Sequence, residues 1–222
     1  MLRFLSEVRT CYHKTMKAHD VHLRPRMAKV LLPASEVAPI IKFGGLGDVV
    51  GALPKALEKL GVNVDVIVPY FSTAKTQGLK VYKSFDMEVA FDNSSHLVSV
   101  YATKLPESYV DVYLLKNSKY FDEPPKQAHI PETEKFVFFS RCVVDFIKSK
   151  FNTYDLIHCN DWHTGMSTHL LEEELGEERP ATLFTIQNLF YQGEGSENLV
   201  EKAGIAGGAH QLIDFDIEDG TL

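Results

Sequence analysis

The chain has 222 residues, 45% of them hydrophobic, and 23 Lys and Arg stand against 30 Asp and Glu for a formal net charge of -7. That is enough for one compact core, as a large single domain or a domain with a subdomain. The acidic balance argues against nucleic acid or an anionic membrane as partner and leaves a neutral polymer open, and no apolar run approaches the roughly 20 residues that cross a bilayer.

Residues 1–26 differ from the rest, with six Lys or Arg, two acids, one serine and three of the nine His. The segment has no long apolar stretch, so it does not read as a secretory signal. The preferred reading is a disordered extension, or an early start upstream of a cytoplasmic protein that begins at Met27. A plastid transit peptide is the alternative. Cys11, Cys142 and Cys159 are odd in number and show neither CxxC nor Cys/His metal spacing. They read as free thiols of a reducing compartment, with Cys142 and Cys159 buried as small hydrophobes.

From Lys29 onward strand and helix patterns alternate. KVLLPAS is a buried strand, and Gly44, Gly45 and Gly47 form a loop. LGDVVGALPKALEKLG is a helix with Val49, Val50, Leu53, Leu57 and Leu60 on one face and Gly61 as its stop. VNVDVIVPYF is the next strand, so this stretch is a βαβ unit and implies a parallel sheet. MEVAF, HLVSVYATKL and YVDVYLLKN are strands without helices between them, with a hairpin turn at Asp92–Ser95, so part of the sheet is expected to be antiparallel. TEKFVFFSRCVVDFIKSKF is an amphipathic helix and DLIHCN a buried strand. DWHTG then reads as a loop before a helix from about Met166 to Leu175, and ATLFTIQN as a further strand. The tail from Gly193 has no strong periodicity. The fold class is α/β: a Rossmann-like, mostly parallel sheet with helices on both faces and some antiparallel strands.

Ligands of open parallel sheets bind beyond the carboxyl ends of strands. Three polar segments fall there: KFGGLGD, DWH and QNLFYQG. In the first, glycines let backbone N–H groups approach an anion at a helix N-terminus, and Lys42 adds a point charge, which suits a diphosphate. A mere tight turn remains open. The loop fits neither a GxGxxG dinucleotide fingerprint nor a GxxxxGK[ST] phosphate loop. In the second, Asp161 and His163 follow a strand; they fit a reaction centre or, equally, a helix N-cap beside a surface histidine. His158 reads as a satisfied core or edge histidine, and no metal site is expected.

Together these segments resemble one family. KVLLPASEVAPIIKFGGLGDVVGALPKALEKLGVNVDVIVPYF is similar to the opening of bacterial glycogen and plant starch synthases. IHCNDWHTGM resembles their H-x-H-D-W-H block, and LFTIQNLFYQG their T-[IV]-H-N-L-x-Y-Q-G block. The resemblance implies the N-terminal, acceptor-side half of a two-domain GT-B glycosyltransferase over 27–222. That half would be incomplete at its C-terminus and would lack the nucleotide-binding half, so the chain alone is expected to be inactive. The implied reaction is retaining transfer of glucose from ADP-glucose or UDP-glucose to the 4-OH of an α-1,4-glucan end, without metal or other cofactor. The implied partners are the sugar nucleotide and the glucan, not nucleic acid or membrane. Carried over by motif, Lys42, Gly44 and Gly45 lie beside the donor diphosphate. Asp161, Gln187 and Asp48 belong to the catalytic centre, and His163, Asn188 and Tyr191 support it. Gln187 stands where the family has a histidine that contacts the transferred glucose. Gln can exchange hydrogen bonds but cannot titrate, so a non-catalytic glucan-binding or regulatory module stays open as the alternative. Apolar surface is expected to be exposed near residues 194–222.

Overall fold

The computed structural model describes residues 27–125, 130–150, 153–190, 192–193 and 198–205. The expectations for residues 1–26, for Cys11, for Tyr191 and for most of 194–222 fall outside them.

Seven strands form one sheet. β1 (Lys29–Pro33), β2 (Asn63–Pro69), β5 (Asp111–Lys116), β6 (Leu156–Asn160) and β7 (Ala181–Thr185) are parallel. β3 (Tyr82–Phe91) and β4 (Ser94–Lys104) add an antiparallel hairpin, giving the order β3-β4-β5-β2-β1-β6-β7. The parallel strands alternate with helices α1 (Gly45–Lys59), α2 (Glu132–Ser149) and α3 (Trp162–Leu175). Crossovers between parallel strands are right-handed. The step β1-α1-β2 runs across the sheet in the opposite sense to β5-α2-β6 and β6-α3-β7, so α1 covers one face and α2 and α3 the other. The mostly parallel sheet and its antiparallel part are as the sequence implied.

Local chemistry explains the boundaries. After α1, Gly61 adopts φ 80 and donates its N–H to the Glu58 carbonyl at 2.9 Å, while the Val62 N–H reaches the Leu57 carbonyl at 3.0 Å. These paired bonds satisfy the last helical carbonyls, and the left-handed position favours glycine. The expected hairpin turn is also present: Phe91 pairs with Ser94 across Asp92 and Asn93, whose φ values are 51 and 54. Two consecutive left-handed residues make the turn whose twist matches the flanking strands.

Three expectations change. DWH is not a loop: α3 starts at Trp162, about one turn before Met166, because the chain turns straight from β6 at Asp161. On α1, Val50 and Pro54 are buried and Leu53 and Leu57 half-buried, whereas Leu60 is exposed because the helix ends beside it. A short helix, α4 (Asn198–Lys202), forms in the tail that showed no periodicity; the Lys202 carbonyl accepts the Asp92 N–H at 2.9 Å and the Lys202 ammonium pairs with Glu134 at 2.8 Å.

The core lies on both faces of the sheet and includes the buried thiols of Cys142 and Cys159, as expected. At the amino ends of the parallel strands a polar group is buried with it. The Asp65 carboxylate of β2 accepts the Tyr154 hydroxyl at 2.9 Å and pairs with the Lys29 ammonium of β1 at 2.9 Å, and Asp155 accepts the Lys29 N–H at 2.8 Å. β7 is an edge strand of the described sheet, and Phe184, Ile186, Leu189 and Phe190 on and after it are exposed. This places an exposed apolar group on β7 and the loop behind it; most of the stretch 194–222, where exposure was expected, lies outside the described residues.

Candidate functional site

β1, β6 and β7 are parallel neighbours, so the segments that follow them emerge at one sheet edge. The first is the glycine loop. Gly44 precedes α1 in extended conformation and makes no side-chain cap. The Glu36 carboxylate, buried at 5% exposure, takes the capping place instead: its Oε2 accepts the N–H of Phe43 and that of Gly44, the latter at 2.8 Å. A methyl group on Gly47 would stand 3.0 Å from the same oxygen, and one on Gly44 would stand 3.3 Å from Oε1. A side chain at Gly44 or Gly47 would thus crowd the Glu36 carboxylate, which would have to give by a few tenths of an ångström. The Lys42 ammonium and the Asp48 carboxylate face each other across the loop at 2.7 and 2.8 Å, both largely exposed. Phe43 is half-exposed beside them and packs its edge on the buried Phe71.

The second and third segments lock together. Asp161 is 6% exposed and adopts φ 56 and ψ 176. That region is nearly confined to glycine and costs of order 1–3 kcal/mol. It persists because both ends of the residue are held. The Asp161 N–H extends the ladder to the Thr185 carbonyl at 2.9 Å, and Oδ1 accepts the N–H groups of Gln187 at 2.5 Å and Asn188 at 3.2 Å. Asp161 occupies the N-cap position of α3 but makes no side-chain cap bond. Its carboxylate is turned instead to the loop after β7. The Thr164 hydroxyl ties the first turn of α3 back to Asn160, accepting its N–H at 2.8 Å. The Gln187 side-chain amide donates to Asn160 Oδ1 at 3.4 Å, and the Asn188 Oδ1 accepts the Phe190 N–H at 3.0 Å.

Around this junction the histidines are kept neutral. His163 is not a surface histidine: its ring stacks on Trp162 at 4.3 Å and meets the edge of Phe136 at 4.5 Å, and burial pushes its pKa down to about 4. His158, as expected, is a satisfied histidine, 2.8 Å from the Thr185 hydroxyl, with its pKa lowered by burial. Gly193, with φ 74, lies so close over Trp162 that a methyl group there would stand 2.1 Å from the indole. The glycine of Y-Q-G and the tryptophan of D-W-H are thus one contact. Among the described residues, no group of three or more His, Cys, Asp or Glu side chains is placed to hold a metal ion, and no helix is long and apolar enough to cross a membrane.

The structure therefore pairs Lys42 with Asp48, and joins Asp161 to Gln187 and Asn188, on adjoining strands of one edge. Glu36 was missed in the sequence; the signal was an acid eight residues ahead of a glycine pair. A family model described as the starch synthase catalytic domain matches residues 29–219. The chain belongs to that family. Glycogen synthase 2 of Geobacter metallireducens is 37% identical over 187 residues, which is 80% of this chain and 38% of that protein. The glycogen synthase of Bacillus subtilis is 36% identical over 170 residues, 74% of this chain and 35% of that protein. Among solved structures, the catalytic domain of Starch Synthase IV from Arabidopsis thaliana, bound to ADP and acarbose, superposes with a TM-score of 0.73 at 26% identity, covering 84% of this chain and 38% of that one. This family member thus spans less than two fifths of the length of the relatives it matches, and its sheet is the GT-B half that the motifs implied.

Proposed function

We propose that this chain supplies the glycine-loop, acceptor-side half of a cytoplasmic, retaining glucosyltransferase. It would pass glucose from ADP-glucose or UDP-glucose to the 4-OH of an α-1,4-glucan end. The observation that carries the reading is the Asp161 junction. One oxygen of a buried, strained aspartate fixes the loop that bears Gln187 and Asn188, and in this reading the other accepts a sugar hydroxyl or stabilises positive charge developing at the transferred carbon. The glucan and the ADP moiety are suggested by the Arabidopsis relative, whose structure holds ADP and acarbose.

In this reading Lys42, Gly44 and Gly45 hold the donor diphosphate, with Lys42 exchanging Asp48 for phosphate oxygens. Asp48 then turns to the sugar or acceptor. Gln187 positions the transferred glucose through hydrogen bonds without moving a proton. Neutral His163 and Asn188 support the loop, and Tyr191 is carried with them from the motif. Neither metal nor other cofactor is required of these residues.

The test is transfer of labelled glucose from either sugar nucleotide into glycogen by the full-length protein, with Q187H alongside. Incorporation that D161A abolishes supports the proposal. Malto-oligosaccharide binding without transfer, even in Q187H, would instead favour the non-catalytic glucan-binding module, a reading that the non-titrating Gln187 favours. Absence of both binding and transfer would sink both readings.

A further inference from the structure

We propose that Glu36 is a positioning residue of the glycine loop: its carboxylate fills the inner side of the loop, spends the Phe43 and Gly44 amides, and so confines an incoming anion to the outer, first-turn amides and Lys42. Glu36 lies in the segment between β1 and α1 and is almost fully buried. It accepts both amides through Oε2, and the same oxygen lies 3.0 Å from where a side chain on Gly47 would begin. The segment around it is held independently. Val37 and Ile41 bridge each other, with N–H to carbonyl distances of 2.8 Å in both directions, and the Ala38 N–H reaches the Gly47 carbonyl at 2.9 Å.

Two consequences follow. A helix start leaves its first N–H groups without intrahelical partners; with Phe43 and Gly44 committed to Glu36, the first-turn donors of α1 remain for a phosphate, joined by the Lys42 ammonium once it leaves Asp48. Glu36 also places a negative charge at the positive end of the helix dipole. It therefore stabilises the empty loop and opposes a second anion, holding affinity for a diphosphate below what the loop alone would give. A carboxylate with this geometry makes the loop pre-shaped but weakly binding, which suits a donor that must leave as a nucleoside diphosphate after each transfer. Both consequences rest on the diphosphate reading of the loop; the clamp itself does not.

The experiment uses the full chain as wild type, E36Q, E36D and E36A. Amide hydrogen exchange at Phe43 and Gly44 reads the clamp, and titration with inorganic pyrophosphate reads the charge. E36Q keeps the reach and one acceptor oxygen, so it should protect both amides like wild type and bind pyrophosphate about ten-fold more tightly, as expected on removing a like charge at short range. E36D keeps the charge but withdraws it by one methylene; it and E36A should raise exchange at both amides at least ten-fold while β1 and β2 stay protected. A merely structural role would move exchange throughout the domain and leave pyrophosphate affinity in E36Q unchanged. If E36A does not fold, E36Q against E36D still decides the matter. Equal protection of Phe43 and Gly44 in wild type, E36Q and E36D would overturn the clamp. Failure of both wild type and E36Q to bind pyrophosphate, with the amides released in E36D, would uphold the clamp and defeat the diphosphate reading.

Discussion

Replacing Gly51 by alanine sets two effects against each other in α1. Helix propensity favours the change, since alanine in a helix interior is worth about 1 kcal/mol over glycine. Packing opposes it. A methyl group at Gly51 would lie 2.5 Å from the backbone carbonyl oxygen of Ala38 and 3.3 Å from the Ala38 Cβ. The obstacle is backbone, and it is tied down, because the Ala38 N–H bonds the Gly47 carbonyl at 2.9 Å one turn earlier in the helix. Relief requires α1 to move away from the segment that presents Glu36, at the about 1–3 kcal/mol or more that overpacking costs. With the clash at the upper end of that range, packing wins, and G51A should be destabilised by a net of about 1–2 kcal/mol. For a domain of this size that lowers Tm by about 3–6 °C. Gly45 is the control: a methyl group there meets nothing within 4 Å, so G45A should lie within about 0.5 kcal/mol of wild type. Urea and thermal unfolding of the three proteins measure both differences. A G51A protein as stable as wild type, or more so, would refute the claim that close approach, rather than flexibility, demands glycine here.

D161A should lose about 2–3 kcal/mol, since two hydrogen bonds to a charged, buried acceptor vanish, and should speed exchange at Gln187 and Asn188; unchanged exchange would contradict the junction. G193A should red-shift the emission of Trp162, the chain's single tryptophan, as the contact over the indole opens. The His163 pKa, held down from 6.5 to about 4 in the folded chain, gives stability that is complete above the unfolded value. As pH falls from 6.5 to 4 the unfolded state binds the extra proton, so stability falls through that window by about 3 kcal/mol and levels off below it; urea melts of H163Q should lack this part of the slope. The exposed β7 edge should drive self-association, and I186K should shift sedimentation toward monomer.

The parallel sheet was legible because its strands are short apolar runs separated by a glycine stop, a hairpin turn and one strongly amphipathic helix, each a local signal. Asp161, Gln187 and Lys42 were legible as members of motifs. What escaped depended on contacts between distant segments. The acid at Glu36 is one polar residue among several until the loop folds back on it. The start of α3 escaped because its buried Thr164, Ser167, Leu170 and Leu171 mix polar with apolar side chains and leave no apolar stripe to count. The short α4 escaped because its place is set by the hairpin it touches at Asp92. β7 was legible as a strand, but its exposure was not; composition shows that a strand is suited to cover, not what covers it.

The polar group at the amino ends of the strands has a bearing on how such a protein changes over time. Lys29, Asp65, Tyr154 and Asp155 fasten β1, β2 and the approach to β6 at the end of the sheet opposite the three loops. Anchorage and the loops of the proposed site therefore fall at different ends of the same strands. A replacement at position 187 draws on nothing at the fastened end. Lineages can thus revise the loop rim one residue at a time while the scaffold stays out of reach of the experiment.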